Sequence, residues 1–175
     1  LIRIKRAELS DIVDIQHIAS VTWPVAYSDI LSPRQMSYML NAMYNQTKLA
    51  AQMQEEEHLF FIAKLNGAAV GFAGISSEDY PFPVDKNIPE NVVSWKLHKL
   101  YVLPHIQKSG AGKALMEAVK EAVLANGGNY LLLNVNRKNP SYQYYLKNGF
   151  EVLEAGDFDI GSGFFMNDYI MGKSL

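Results

Sequence analysis

Apolar and polar positions along this chain repeat with two different periods. Leu1 to Lys5 alternates apolar and basic residues, the two-residue period of a short edge strand. From Ile12 the period lengthens, with Ile12, Ile15, Ile18 and Ala19 on one helical face and Ser10 or Asp11 placed to cap it. Trp23-Pro24 breaks this pattern. Ser32-Pro33-Arg34-Gln35 then supplies an N-cap hydroxyl, a proline at the first helical position and a glutamine three residues after the cap. Met36, Met39, Leu40 and Met43 make a stripe expected in the core, and a further helical stretch from Thr47 ends near Glu55 to Glu57, an acidic run that reads as a solvated helix end.

The next segments return to the short period. His58 to Leu65 is rich in aromatic and β-branched residues, Asn66-Gly67 is a preferred pair for a tight hairpin turn, and Ala68 to Ile75 is apolar again, so a β-hairpin is expected. Glu78 to Pro89 contains three prolines and two aromatic residues and reads as a long loop. Val92 to Val102 is the next strand, and Lys113 to Ala125 a helix with Leu115, Met116, Val119 and Val123 inward, closed by Asn126-Gly127-Gly128. Tyr130 to Val135 is a strand, Pro140 to Lys147 a short helix ended by Asn148-Gly149, and Phe150 to Leu153 a strand. A turn from Gly156 to Gly163 would then return the chain into a last strand, Phe164 to Met171. With no repeats or linkers, the pattern predicts one α+β domain over residues 1–175, helices flanking a mixed, largely antiparallel sheet.

Composition narrows the function classes. At 175 residues and 49% hydrophobic content the chain can bury a sizeable core, and a net charge of −2 gives no electrostatic reason to expect nucleic acid. The absence of cysteine rules out disulfides, a thiolate nucleophile and thiolate metal ligands. His17, His58 and His105 lack metal-ligand spacing with acidic residues, so no metal is expected. No apolar run of about 18 residues is present and the first residues lack a signal peptide's apolar centre, so no membrane contact is expected and the cytoplasm is the expected compartment.

Candidate chemistry concentrates between Leu97 and Leu115. A strand there passes through Pro104 and a loop with Gly110 and Gly112 into a helix start, an arrangement that can gather backbone N–H groups and a helix dipole around phosphate. A dinucleotide fingerprint would need glycine where Leu115 stands. A Walker loop would need glycine at Gln107 and Ser or Thr at Ala114. Read as Gln107-Lys108-Ser109-Gly110-Ala111-Gly112, the loop instead resembles the Q/R-x-x-G-x-G/A signature of the GNAT superfamily of acyl-CoA-dependent N-acyltransferases. Asn139 with Tyr145-Leu146-Lys147-Asn148-Gly149-Phe150 is similar to that family's N-x(6–7)-Y-x-x-x-G-F segment, though Asn139 and Tyr145 are six apart rather than the more usual seven.

The resemblance implies a GNAT-like fold and acetyl-CoA as co-substrate. Leu100, Tyr101 and Val102 would hold the pantetheine arm and thioester carbonyl through their backbone, and Gln107, Lys108, Ser109, Gly110, Ala111, Gly112 and Lys113 would receive the pyrophosphate, with Asn139 also on the cofactor side. Tyr145 stands at the family's general-acid position, where a phenol can protonate the departing thiolate. Some family members carry a glutamate base on the strand after the cofactor helix, but Asn134 occupies the corresponding place, leaving His98 or Glu78 as candidate base, with Asp79 beside Glu78 able to act through water. Trp23, Tyr27 and Tyr80 with Glu78, Asp79 and Asp168 could surround a cationic amine. Ala26 to Ser32 and Asn167 to Met171 look similar to bacterial spermine/spermidine-type acetyltransferases, which implies a small amine, a polyamine among others, as acceptor. The alternatives are acetylation of a protein or peptide amine, or a non-catalytic acyl-CoA sensor. Family members are often dimers, and Phe164-Phe165 could support a homodimer.

Overall fold

Asn66 and Gly67 both take left-handed backbone, φ 50° and 87°, which is what a two-residue hairpin turn with the strands' own twist requires. The strands they join, β2 (Leu59–Leu65) and β3 (Ala68–Ser77), pair antiparallel from Leu65↔Ala68 to Leu59↔Ile75, and β1 (Ile2–Arg6) pairs antiparallel on the other side of β2. This computed structural model describes residues 1–175. The remaining strands are β4 (Ser94–Val102), β5 (Tyr130–Asn136), β6 (Glu151–Gly161) and β7 (Phe164–Ser174); the helices are α1 (Ile12–Tyr27), α2 (Pro33–Tyr44), α3 (Gln46–Gln54), α4 (Ala111–Ala125) and α5 (Ser141–Lys147).

The chain divides into two compact units, Leu1–Ser76 with His98–Glu121, and Ser77–Leu97 with Ala122–Leu175. Strand order in the first is β1-β2-β3-β4 and in the second β4-β5-β7-β6, so the seven strands follow the order β1-β2-β3-β4-β5-β7-β6, with β4 divided between the units. β4 and β5 run parallel over Ser94–Leu97 and Tyr130–Leu133, whereas β5, β7 and β6 are antiparallel neighbours. The architecture is α+β and mostly antiparallel, as the pattern predicted.

In the first unit Ile15, Ile18, Leu49, Ile62, Phe72 and Leu115 are completely buried. Gly71 of β3 is required by close approach, because a Cβ there would lie 2.9 Å from the Tyr101 carbonyl oxygen and 3.2 Å from Leu115. The Ser32 hydroxyl accepts from Gln35 N at 3.1 Å, so α2 starts as its sequence indicates. In the second unit the Asn129 side chain accepts from Val93 N at 2.8 Å and donates to the Asn91 carbonyl at 2.9 Å, tying the start of β5 to the entry of β4.

Three local expectations are corrected. α1 does not stop at Trp23-Pro24 but continues to Tyr27. Pro24 and Ser20, whose carbonyl loses its usual partner, are solvent-exposed, so water can serve the freed group, while Trp23 at 1% exposure and Tyr27 are held by packing. The methionine stripe of α2 is only partly core: Met39 is buried, whereas Met36 and Leu40 line a groove with Gln16 and Ser20. Most of the expected turn from Gly156 to Gly163 is strand, with only Ser162 and Gly163 turning at φ 53° and 76°. β6 has a single neighbour, β7, so Asp157 and Asp159 can extend along an outer edge where polar residues meet water.

Lys99 is the notable buried charge of the first unit. At 4% exposure, its Nζ donates to Gln52 Oε1 at 3.1 Å and lies 5.2 Å and 5.1 Å from the ring centres of Tyr44 and Phe60. Burial first, then the repulsion of Lys48, pushes its ammonium down from 10.5 to about 8. Between these values the unfolded chain binds the proton that folded Lys99 has released, so folding is favoured as pH rises through the window and that gain is lost as pH falls through about 8. Compared with a Lys99→Met variant, the native chain should therefore gain ~1–3 kcal/mol of relative stability across the window, measured by urea unfolding at a series of pH values. Parallel pH profiles for the two proteins would contradict this account of Lys99.

Candidate functional site

The strand-loop-helix segment in the first unit is built by alternating restraint and exposure. Leu100, Tyr101 and Val102 close β4 half-buried, and Leu103 N then donates to the Val70 carbonyl at 2.8 Å, which fixes where the chain leaves the sheet. Pro104–Ile106 make one 3₁₀ turn, and Ser109 N donates to the Ile106 carbonyl at 3.1 Å. Lys108 and Gly110 then adopt φ of 70° and 93°, turning the chain into α4. Gln107 to Gly110 and Lys113 are exposed, and Ala111 N is met by Ser109 Oγ at 3.3 Å. The first turn of a 15-residue helix thus presents backbone donors and the positive end of its dipole to solvent, with two lysines beside it.

The two glycines serve different needs. A Cβ on Gly110 would meet nothing within 4 Å, so glycine is there for its left-handed backbone. At Gly112 φ is unremarkable and a Cβ would meet only Val102 Cγ2, at an ordinary 3.8 Å. The protein itself leaves room at Gly112, and that fits a pyrophosphate approaching the backbone closely.

Trp23, Tyr27 and His98 also lie in the first unit. Trp23 packs its ring against Tyr27 at 4.8 Å, Tyr44 at 5.9 Å and Tyr101 at 6.0 Å, which leaves no ring face open to a cation. Tyr27 hydroxyl shares a hydrogen bond with that of Tyr101 at 3.0 Å, so these residues pack and polarise the end of β4. His98 Nε2 is hydrogen-bonded to Ser76 Oγ at 2.7 Å, and its ring stacks on His58 at 5.0 Å. Burial, then Lys99, lowers the pKa of His58.

The second unit holds a pocket of about 480 Å3 that brings several predicted residues together. Glu78, Asp79 and Asn134 line it with Lys96, Leu132 and Ile170. Glu78 is exposed, with Lys96 Nζ 3.8 Å from its carboxylate, and its backbone is anchored to Ser94: Glu78 N donates to the Ser94 carbonyl, and Ser94 Oγ donates to the Glu78 carbonyl. Asp168 is buried, and its Oδ1 has no hydrogen-bond partner. Burial raises its pKa, opposed by the nearby Asn134 side chain and by the positive charges of Lys96 and Arg137. Tyr80 packs edge-on against Tyr130 at 5.3 Å, outside the residues that line the pocket, and burial raises its pKa.

Tyr145 and Asn139 belong to α5 and its approach. Tyr145 is 8% exposed, with Tyr144 and Phe150 edge-on at 5.5 Å each, and the left-handed Gly149 after the helix lets Phe150 N reach the Tyr145 carbonyl. Asn139 Oδ1 accepts from Ser141 N at 2.9 Å, a turn that starts α5. The contributions of Lys96, Phe158 and Ile170 to the pocket were missed from sequence; alternation in β4 and β7 puts Lys96 and Ile170 on this face, but which face carries a pocket is a tertiary fact.

Comparison with known proteins is consistent with this geometry. The family described as acetyltransferase (GNAT) domain matches residues 28–165. An uncharacterised N-acetyltransferase of Mycobacterium tuberculosis is 27% identical over 168 residues, 95% of this chain and 99% of its own length. Among solved structures, the PaiA N-acetyltransferase from Thermoplasma acidophilum, in complex with coenzyme A, superposes with a TM-score of 0.79 at 23% identity, covering 100% of this chain and 99% of that one. A GCN5-related N-acetyltransferase from Rhodopseudomonas palustris gives a TM-score of 0.77 at 21% identity, covering 99% and 95%. These likenesses establish a shared fold.

Gly112→Ala separates the protein's own needs from those of a ligand. The substitution should leave the chain as stable or up to ~1 kcal/mol more stable, since alanine suits a helix better than glycine. CoA binding, followed by calorimetric titration, should weaken by about tenfold or more as the methyl group obstructs the approach. Unchanged CoA affinity would remove the loop as the pyrophosphate site.

Proposed function

The chain belongs to the GNAT acetyltransferase family and is an acetyl-CoA-dependent N-acetyltransferase, and from that premise we propose that its acceptor is a small aliphatic amine, polyamines included. The observation that carries this is the pocket in the second unit, where carboxylates of Glu78 and Asp79 stand at one side and Leu132, Phe158 and Ile170 supply apolar wall. An alkyl ammonium needs both: a negative field for its charge and apolar surface for its methylenes. With Lys96 beside Glu78, Asp79 is the carboxylate at this pocket with no cation paired to it.

Acetyl-CoA supplies an acyl group activated as a thioester. In this proposal Gly110 to Lys113 hold its pyrophosphate, and the backbone of Leu100 to Val102 pairs with the pantetheine amides as a strand would. The acceptor ammonium must lose a proton before nitrogen can attack the carbonyl carbon; as the C–N bond forms and the C–S bond breaks, the thiolate takes up a proton. Glu78 is preferred over His98 as base, because Glu78 lines the pocket, whereas His98 Nε2 is engaged by Ser76. Tyr145 is the acid, its ring held by Tyr144 and Phe150 so that the hydroxyl has one orientation to offer.

Thiol release from acetyl-CoA, measured with a panel of aliphatic diamines, polyamines, amino acids and peptides, tests the acceptor class. Aliphatic amines should show the highest kcat/KM; a preference for peptides would replace this reading with protein acetylation, and CoA binding without turnover on any amine would replace it with a sensor. Tyr145→Phe keeps the ring packing and should lower kcat by about 10²-fold while leaving the acetyl-CoA dissociation constant unchanged. An unaltered kcat across the pH range would eliminate Tyr145 as the acid.

A further inference from the structure

Gly156 stands in the middle of β6, where neither a turn nor its backbone requires glycine: its φ is not positive, unlike those of Gly161 and Gly163. What it answers to is a neighbouring side chain. A Cβ built there would lie 2.9 Å from Phe158 Cζ and 3.3 Å from both Phe158 Cε atoms, closer than carbon atoms pack, so the aromatic ring lies back along the strand with its tip over Gly156. Alternation puts residues two apart on one face of a strand, and on this face Phe158 lines the second unit's pocket with Leu132, Asn134 and Ile170.

The strand beneath the ring is not free to yield. Gly156 pairs with Asp168 of β7, Asp157 with Asn167 and Phe158 with Met166. Arg137, which follows β5, donates from Nη1 to the Gly156 carbonyl at 3.3 Å and from Nη2 to Asp157 at 2.6 Å, and its own N–H donates to the Asn167 carbonyl at 2.9 Å. The Phe158 side chain is half-buried and ends at the pocket, so it is the ring that moves when space over Gly156 is taken. The charged residues of this pocket, Glu78, Asp79 and Lys96, come from β4 and from the segment after β3; Phe158 is the β6 residue that lines it, and an aromatic face is the broadest apolar surface there.

Building on the small-amine reading, we propose that Phe158, laid along β6 by the absence of a side chain at Gly156, is the wall that receives the acceptor's methylenes and sets the width of chain the pocket admits. Gly156 is its positioning residue. A ring folded down on the strand offers apolar surface to an alkyl chain without filling the cavity, whereas a ring raised by a Cβ at Gly156 occupies space the chain needs. A branched or aryl-bearing amine competes with the ring for the same volume. Selectivity for slender amines therefore lies in how far the ring lies back, and a glycine two residues before an aromatic residue sets that distance.

Steady-state thiol release tests the assignment on the whole chain, with the best of putrescine, spermidine and n-butylamine as slender acceptor and benzylamine as bulky one. The native chain should favour the slender amine. Phe158→Ala should raise the slender amine's KM by about tenfold and shift the kcat/KM ratio toward benzylamine by about tenfold, while the acetyl-CoA KM changes less than about twofold. Gly156→Ala should raise the slender amine's KM by about fivefold or more, and should change the KM of Phe158→Ala by less than about twofold, because without the ring the added methyl group displaces nothing. A native preference for benzylamine, an amine KM and acceptor ranking unchanged in Phe158→Ala, or a Gly156→Ala effect that persists at full size in the double variant would overturn the proposal. Phe158 is half-buried on an outer strand, so Phe158→Ala decides the matter if Gly156→Ala fails to fold. Failure of the enzymatic reading would show in the native chain as absence of turnover with every amine and would take this proposal with it; failure of this proposal alone would leave native turnover intact.

Discussion

A parallel strand pair cannot be closed by a hairpin, and that restriction shapes this protein. β4 and β5 are parallel, so the chain must leave the C-terminal end of β4 and return to the N-terminal end of β5 by a crossover. α4 is that crossover, and its N-terminus necessarily follows the end of β4 by one short loop. The geometry of the proposed pyrophosphate site is therefore a by-product of topology to which only a few residues had to be added. Gly110 supplies the backbone conformation, Gly112 the open approach, and the bond from Leu103 N to the Val70 carbonyl fixes the point of departure.

Lys99 and Asp168, both buried, show how burial is used for different ends. Lys99 is fully served: an amide oxygen accepts from it and two aromatic rings face it. Its lowered pKa is a residual cost of structure, and nothing is left over for a ligand. Asp168 has a buried Oδ1 with no hydrogen-bond partner. A buried carboxylate with a vacant acceptor is expensive, and burial accordingly raises the Asp168 pKa.

Much of the fold was legible because its punctuation is chemical. Asn66-Gly67, Ser32-Pro33 and Asn148-Gly149 each demand a backbone state that few other residues supply, and each was found where sequence placed it. The strand-loop-helix course from Leu97 to Leu115 and the turn from Tyr145 to Phe150 were legible for a similar reason, as fixed spacings tied to local geometry. Pro24 misled because its helix-breaking tendency is a local preference, and the packing of Trp23 and Tyr27 outweighs it. The glycines at 156 and 161 misled in the other direction, since an outer strand tolerates residues that a central one rejects. The acceptor side was least legible: Trp23 suits a cation cage by composition and is instead sealed in the core, while Lys96, Phe158 and Ile170 come together only through strand register.

The neutral side chain of Asn134, which lines the pocket, bears on the deprotonation that the proposed reaction requires. A carboxylate in direct contact with the acceptor would stabilise the ammonium more than the neutral amine, raising the pKa of the nucleophile and opposing the proton loss that must precede attack. A carboxamide oxygen discriminates far less between the two forms, because it accepts a hydrogen bond from either without a full charge. Glu78 and Asp79, exposed to water, can attract the ammonium at lower electrostatic cost to its deprotonation, since solvent screens their charge. In the proposed reaction, the division between screened outer carboxylates and a carboxamide at the pocket wall lets one site gather a cation and still release it as an amine.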